Sequence, residues 1–240
     1  MVTPFKDESV VILGGTGSLG KVLVERLIQG KNGSPKSITV FSRDEAKQHD
    51  LRLKYLGNPA ETDSAIYKSA HEKLKFFIGD VRNPLSLKKA LEGASVVIYA
   101  AAMKQVPSCE YFPSEAVYTN VLGAENALNA AYDAGVKTFV GVSTDKAVAP
   151  VNVMGMTKAL QERLVIQSNL RAGSPRAVAV RYGNVLSSRG SVIPLFKDQI
   201  SKGAPLTITD SEMTRFLLTL DEAVDIIVDA IESGNRGDIF

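Results

Sequence analysis

A glycine-rich loop joins a strand to a helix at the start of the chain. The run Ser9–Leu13 is apolar throughout, which is typical of a strand covered on both faces. Gly14, Gly17 and Gly20 follow it with the spacing G-x-x-G-x-x-G, and a helical pattern comes next. Such glycines allow a tight turn and close approach of the backbone to a pyrophosphate, which the helix N-terminus attracts. The pattern predicts dinucleotide binding; a glycine-rich turn that merely connects is the alternative.

Apolar runs and helical patterns continue to alternate along the chain, joined by short loops. This order predicts an α/β fold, a Rossmann-type doubly wound parallel sheet. We assign the nucleotide-binding domain to 1–182 and part of a second, smaller lobe, interleaved with it, to 183–240. The further predicted strands cover 37–41, 74–78, 94–102, 137–142, 177–182 and 206–209, with another beginning at 237–240. The predicted helices include 84–91, 113–135, 153–171, 191–202 and 221–231, the last two capped by Ser191 and Asp221.

The composition excludes several classes of protein. Lys and Arg number 28 against 26 Asp and Glu, so the chain lacks the basic excess typical of nucleic acid binding. No apolar run approaches the roughly 20 residues of a membrane span, and the N-terminus has no secretory signal pattern. We therefore expect a soluble, cytoplasmic protein with no nucleic acid or membrane partner and no metal site. The one cysteine, Cys109, lies in a loop-like segment with no histidine nearby in sequence, and we interpret it as a bystander.

Charged residues follow the second predicted strand, where a Rossmann fold meets the adenosine ribose. An acid at this place favours a free 2′-hydroxyl, and an arginine favours a 2′-phosphate. Arg43 comes first and Lys47 lies one helical turn later, which favours NADP over NAD. Asp44 is the argument against that choice. A solvated, charged helix start is the alternative interpretation of this segment.

Three other strand ends carry candidate binding residues. Asp80 follows the third strand and is either a ligand of the adenine amino group or a turn residue. Small residues around Ala100 end the fourth strand and allow a cofactor to lie close. Lys104, in the loop beyond, projects toward the place of a substrate or is an ordinary surface lysine.

The stretch 143–158 combines acid, base and hydroxyl groups directly after the fifth predicted strand. Open α/β sheets place their chemistry at the carboxyl ends of strands. Thr144, Asp145 and Lys146 are adjacent, and Lys158 lies one helical turn after Met154, so these two share a helix face. We therefore predict that catalysis centres on this stretch.

Several longer segments resemble a known family. They are SRDEAKQ, GDVR, AAMKQVP, STDKAV, RYGNVLSSRGSVIP and ITDSEMTRF. Together they are similar to the extended short-chain dehydrogenase/reductases, and among these to the UDP-N-acetylglucosamine 4,6-dehydratases of polysaccharide biosynthesis, over 9–240. The resemblance implies bound NADP or NAD and a UDP-sugar substrate. It also implies removal of hydride from C4, loss of water across C5–C6 and return of hydride to C6.

The resemblance also implies residue roles. Cofactor contacts fall to Gly14, Thr16, Gly17, Ser18, Leu19, Gly20, Ser42, Arg43, Lys47, Asp80, Val81, Ala100, Ser143 and Lys158. UDP-sugar contacts fall to Lys104, Asn184, Val185, Arg189 and Arg215. The family's usual Y-x-x-x-K is M-x-x-x-K here, as in one subgroup of these dehydratases, with Met154 in the tyrosine position. The family's chains also generally continue past the point that matches Phe240.

The dehydration requires a base for the C5 proton and an acid for the C6 oxygen. A lysine in a buried site can act as the base, and Lys146 is our candidate. Protonated Asp145 would then donate to the leaving water, unless the two form a plain ion pair. Thr144 would bind the C4 oxygen and Lys158 the nicotinamide ribose. Met154 is only a weak hydrogen-bond acceptor, so Lys146 or a water must replace the tyrosine.

Two rival functions remain open at this stage. One is a nucleotide-sugar epimerase or reductase, and the other is a catalytically silent NADP-binding protein. The family commonly pairs through long helices such as 113–135, so we also expect a homo-oligomer.

Overall fold

Six parallel strands form the sheet on which the site is built. The computed structural model describes residues 3–56, 73–186, 192–208 and 210–240. The strand order is β3-β2-β1-β4-β5-β6. Strands β2 and β3 are added on one side of β1, and β4 to β6 are added on its other side, as in a doubly wound fold. The strands are β1 Ser9–Leu13, β2 Ser37–Ser42, β3 Leu74–Ile78, β4 Val96–Tyr99, β5 Thr138–Val142 and β6 Arg176–Val180. This confirms the predicted fold class.

Helices cover both faces of the sheet, and the helices that pack on it bury an apolar stripe against it. On one face, α1 and α9 pack through residues such as Leu23, Leu27 and Ile227. On the other face, α3 and α6 pack through residues such as Leu87 and Ala127. The helices are α1 Ser18–Ile28, α2 Glu45–Leu56, α3 Pro84–Ala90, α4 Val106–Tyr111, α5 Pro113–Ala116, α6 Gly123–Asp133, α7 Val153–Ser168, α8 Val192–Ser201 and α9 Leu220–Ser233.

The predicted long helix at 113–135 is interrupted. A π-helical stretch, Val117–Leu122, lies between α5 and α6. Single π-helical turns inside helices are frequent at functional sites. The stretch carries the fully buried Asn120, whose contacts are described with the site.

The second lobe differs from its prediction. Residues 206–208 of the predicted strand form no strand, and 209 lies outside the described residues. A two-stranded parallel sheet forms instead between β7 Asn184–Val185 and β8 Leu217–Leu218. The predicted cap Ser191 also lies outside the described residues.

Helix α9 begins with Thr219 as its cap, so the prediction of Asp221 was wrong. The Thr219 side chain accepts from the Glu222 backbone N–H, and the Glu222 side chain accepts from the Thr219 backbone N–H. This reciprocal pair is a capping box and satisfies two otherwise free donors. Asp221 instead pairs with Arg26 and so ties α9 to α1.

Two expectations about the remaining segments are resolved by the structure. The last residues do extend the sheet, since Phe240 N–H donates to the Ala179 carbonyl and Arg181 N–H donates to that of Phe240. Cys109 is not in a loop, because it is fully buried in α4. No helix in the described ranges has both the length and the apolar character needed to cross a membrane.

Candidate functional site

A cleft of about 910 Å³ opens at the carboxyl ends of the central strands. Its walls come from the glycine loop, the segment after β4, the ends of β5 and β6, and the first turns of α7. This is the edge at which doubly wound sheets bind their ligands. The cleft contains these predicted site residues: Gly14, Thr16, Gly17, Ser18, Leu19, Gly20, Lys47, Ala100, Lys104, Ser143, Thr144, Lys146, Met154, Lys158, Asn184 and Val185.

The glycine loop has the shape that a dinucleotide requires. Gly14 has φ +91°, and a Cβ there would lie 2.6 Å from the Ala101 backbone nitrogen. A Cβ on Gly20 would lie 2.5 Å from the Gly15 carbonyl oxygen, so α1 packs directly on the loop. The N-cap Gly17 makes no side-chain cap bond and the first turn carries no acidic residue. The first N–H groups of α1 are therefore suited to an anionic ligand.

The charge of the cleft also suits phosphates. Lys21, Lys47, Lys104, Lys146 and Lys158 line it, and the described lining residues include no acid. The cleft walls partly desolvate Lys104 and so lower the pKa of its ammonium group. A concave surface lined by one sign of charge attracts ligands of the opposite sign, here anions such as phosphates.

The two predicted ribose-binding cations already have acidic partners. Arg43 lies 3.5 Å from Asp80 at the ends of β2 and β3, and Lys47 pairs with Asp44. Asp80 also accepts from Arg82 at 2.6 Å. Burial acts to raise the pKa of Asp80, but the Arg82 hydrogen bonds and the charge of Arg43 outweigh it, so the carboxyl stays ionised. The predicted cofactor residues Ser42 and Val81 are buried beside this cluster and do not line the cleft.

The predicted catalytic residues form one hydrogen-bonded turn after β5. Thr144 caps a single 3₁₀ turn, Asp145–Ala147. Its hydroxyl donates to Asp145 Oδ1 at 2.8 Å, and Lys146 Nζ donates to the same oxygen at 3.0 Å. Burial acts to raise the pKa of Asp145, but the bonds from Lys146 and Thr144 hold it below its usual value. Asp145 is therefore held as a carboxylate in contact with Lys146.

Lys146 has a second partner from the other lobe. Its Nζ donates to Asn184 Oδ1 at 3.0 Å, across 38 positions of sequence. Asn184 belongs to β7, and its backbone N–H donates to the Phe216 carbonyl at 2.7 Å. We predicted Asn184 as a substrate ligand, and the structure places its side chain on Lys146.

Helix α7 lies unusually close to the catalytic turn. A Cβ on Gly155 would come closer than 3.0 Å to the Lys146 carbonyl oxygen, so only glycine allows this approach. The preceding Met154 is buried and packs with Cys109 and Ala116. Met154 and Lys158 both line the cleft, as their spacing predicts.

Lys158 is held in the floor of the cleft. Its Nζ donates to the Val142 carbonyl at 2.5 Å and to Gln161 Oε1 at 2.7 Å. Burial lowers the pKa of Lys158 to about 7, against a smaller raising effect of Glu162.

Several residues of the site were missed by sequence reasoning. Glu162 is buried behind Lys158, where it accepts from Ser143 Oγ and forms a double hydrogen bond with Arg181. Tyr182 lines the cleft, and burial raises the pKa of its phenol, so it stays protonated at neutral pH and is not a base. Its place in the RYGNV segment was the available signal.

Asn120 was also missed, although it holds the segment of the cleft wall that carries Lys104. Its side chain accepts from Met103 N–H at 2.8 Å and donates to the Met103 carbonyl at 3.0 Å. A further bond of 3.0 Å reaches Thr157 on α7. These hydrogen bonds fix the segment that carries Lys104 relative to α7.

Arg215, a predicted substrate ligand, is not among the residues that line the cleft. Arg215 is exposed, and its guanidinium donates to the neighbouring Thr214 carbonyl at 2.6 Å. Arg189 lies outside the described residues. Their predicted contacts therefore stay predictions.

Comparison with known proteins shows the family to which the chain belongs. The family model described as "Polysaccharide biosynthesis protein" matches residues 10–240. The chain belongs to this family. The match agrees with the resemblance to extended short-chain dehydrogenase/reductases.

The relatives of this chain include curated proteins and solved structures. A UDP-glucose 4-epimerase of Rickettsia rickettsii (strain Sheila Smith) is 49% identical over 98% of the chain, which spans 66% of that relative's length. The structure of Pen from Bacillus thuringiensis is 38% identical, with a TM-score of 0.85 over 95% of this chain and 68% of Pen. DesIV from Streptomyces venezuelae, a dTDP-glucose 4,6-dehydratase solved with NAD bound, shares the fold. Its TM-score is 0.82 at 21% identity, over 96% of this chain and 74% of DesIV.

Proposed function

We propose that this chain carries the catalytic site of a nucleotide-sugar 4,6-dehydratase that acts on UDP-N-acetylglucosamine with NADP. The observation that carries the proposal is the hydrogen-bonded set of Thr144, Asp145 and Lys146 in a cleft lined by lysines. Such a set supplies an acid and a base to one bound sugar. Hydride transfer alone requires neither at C5 and C6.

The cofactor fits the glycine loop and the adjoining strand ends. The N–H groups of α1 would bind its pyrophosphate, and Lys158 would bind the nicotinamide ribose. Arg43 and Lys47 favour NADP because they follow β2, whose end would meet the adenosine ribose. Each of them would share its charge between the 2′-phosphate and the carboxylate that it already contacts. When bound, the nicotinamide supplies the acceptor for the C4 hydride and its later return to C6.

The base and the acid can exchange a proton along an existing hydrogen bond. With C4 as a ketone, the C5 proton becomes acidic, and removing it requires a neutral Lys146. Lys146 Nζ lies 3.0 Å from Asp145 Oδ1, so moving its proton there gives a neutral amine and a carboxylic acid. A sugar bound over this pair would exclude water, and a less polar surrounding favours the neutral pair over the ionic one. Lys146 then accepts the C5 proton while Asp145 donates one to the departing C6 hydroxyl, which leaves as water. When hydride returns to C6, Lys146 would give a proton back to C5.

Other residues would orient the sugar. Thr144 would bind the C4 oxygen, and Lys104 and Val185 lie on the substrate side of the cleft. Met154 offers no proton acceptor, and neither does the protonated Tyr182. The C4 hydroxyl proton therefore passes to Lys146 or to a water. We assign Arg189 and Arg215 to the UDP-sugar by resemblance alone.

An epimerase is the second candidate, because curated relatives carry the name UDP-glucose 4-epimerase. Epimerisation at C4 removes and returns hydride at one carbon. It therefore requires no acid or base at C5 and C6, and the Asp145–Lys146 pair would have no role there. The pair favours dehydration, and the names of the relatives favour epimerisation.

We also propose a homo-oligomer formed through the π-helical stretch and α7. Large apolar side chains on these elements are exposed to solvent, among them Tyr118 (47%), Leu122 (41%), Met156 (52%) and Leu160 (49%). Apolar side chains clustered at a surface commonly mark a protein–protein interface.

Mass spectrometry after incubation with UDP-N-acetylglucosamine and NADP tests the proposal. A dehydratase yields a nucleotide sugar lighter by one water. An unchanged mass with a C4 epimer, detected by NMR, would establish the epimerase instead. An unchanged sugar with NADP bound to the protein would contradict both enzymes.

A further inference from the structure

In the described ranges, only one side-chain hydrogen bond joins the segment 183–240 to the turn 144–147, and Asn184 makes it. Its Oδ1 accepts from Lys146 Nζ at 3.0 Å. The residue is not held loosely, since its backbone pairs with β8 and donates to Phe216. The neighbouring Gly183 packs so tightly on Phe216 that a Cβ would overlap the Phe216 carbonyl. The lobe thus delivers an amide oxygen to Lys146 from a fixed backbone.

We propose that Asn184 is a positioning residue for Lys146, beyond the substrate contact that the resemblance implies. This rests on the proposed dehydratase function, in which Lys146 is the base. Asp145 Oδ1 and Asn184 Oδ1 hold the amine from two sides, each at 3.0 Å, and so fix its direction. One hydrogen bond alone would fix the orientation of the Lys146 amine poorly, because the lysine side chain has several rotatable bonds and many conformations.

The neutrality of Asn184 matters as much as its place. Lys146 already faces one carboxylate, and a second would favour the ammonium form and hinder proton loss. An amide oxygen orients the amine without adding a negative charge. Apart from Lys146, the titratable residues that line the cleft in the described ranges are Lys21, Lys47, Lys104, Lys158 and Tyr182, none of which is a carboxylic acid. The charge of the residue at 184 therefore has a direct effect on the proton of Lys146.

Two substitutions separate position from charge. Asn184→Asp keeps an acceptor and adds a charge, so Lys146 should lose its proton at a higher pH. Asn184→Leu removes the acceptor and should shift the titration of Lys146 to lower pH. Asn152→Asp is the matched control: Asn152 caps α7 by accepting from Gly155 N–H, a role that aspartate also fills, and it makes no bond to Lys146 among those the structure describes.

The titration is read by NMR of protein labelled with ¹³C at the lysine ε-carbon, with Lys146 assigned from a Lys146→Arg variant. The titration midpoint of Lys146 should be lowest in Asn184→Leu, intermediate in wild type and highest in Asn184→Asp. In Asn152→Asp it should be close to that of wild type. The pH profile of solvent-deuterium incorporation at C5 should move in the same order. A role in UDP binding alone would weaken UDP affinity and leave both profiles unmoved.

The two proposals fail in different ways. Equal midpoints in wild type, Asn184→Asp and Asn184→Leu would overturn the positioning role whatever reaction the protein catalyses. Ordered midpoints in a wild-type protein that removes no water would keep the contact and overturn the dehydratase.

Discussion

Replacing Lys158 by methionine should make the protein more stable at neutral pH. The folded protein lowers the pKa of Lys158 from 10.5 to about 7, because the amine is buried in the floor of the cleft. Methionine has a similar length and no charge, so Lys158→Met removes the cost of burying the ammonium. It also removes the bonds to the Val142 carbonyl and Gln161, but Gln161 Nε2 continues to donate to that carbonyl at 3.0 Å.

The sign of the pH dependence follows from the direction of the shift. Between pH 7 and 10.5 the unfolded chain binds a proton at Lys158 that the folded chain does not, so wild-type stability from this group rises with pH. The full difference of about 3.5 in pKa corresponds to about 5 kcal/mol, of which about 2 kcal/mol develops between pH 7 and 9. Two lost hydrogen bonds offset this by about 1 kcal/mol each. The net gain from Lys158→Met at pH 7 is therefore on the order of 2 kcal/mol, and it should shrink by pH 9.

Urea unfolding at pH 7, 8 and 9 without cofactor measures these free energies for wild type and variant. Lys88→Met, at an exposed position of α3, is the matched control and should run parallel to wild type. Parallel curves for Lys158→Met and wild type would refute a strongly lowered pKa at Lys158.

Three further predictions follow from other parts of the site. Arg43→Ala should weaken NADP by about 10- to 100-fold, the value of a charge-assisted bond, and NAD much less; equal losses by calorimetry would contradict the assignment. Gly155→Ala should lower kcat while NADP binding persists, because its Cβ would push α7 away from Lys146; unchanged kcat would show that the close approach is not needed. Leu160→Asp should convert the oligomer to monomer in light scattering, and a monomeric wild type at micromolar concentration would contradict the proposed interface.

The sequence predicted the central sheet well because parallel strands buried on both faces leave continuous apolar runs. Every one of the six strands was found within three residues of its predicted ends. The glycine loop and the Met154–Lys158 face were also predictable, because they depend on local spacing. The Thr219–Glu222 capping box was present in the sequence as T-x-x-E and was overlooked in favour of Asp221.

The features that could not be predicted depend on contacts distant in sequence. The short β7–β8 pairing is set by the meeting of segments about thirty residues apart, and the apolar residues at 206–208 gave a misleading local signal. The contact of Asn184 with Lys146 follows from that pairing. The π-helical stretch around Asn120 has no sequence repeat of its own, and the bonds of Asn120 to Met103 and Thr157 join residues distant in sequence.

The role of Lys146 is tested most directly by proton exchange at C5. Wild type and Lys146→Ala are incubated in D₂O with UDP-N-acetylglucosamine and NADP, and deuterium at C5 and water loss are followed by NMR and mass spectrometry. NADP affinity is measured in parallel, and Met154→Tyr serves as a variant that should keep turnover. Lys146→Ala should lose both exchange and dehydration by at least about 100-fold while it binds NADP as wild type does. Substantial exchange in Lys146→Ala would contradict the account and place the base on another residue.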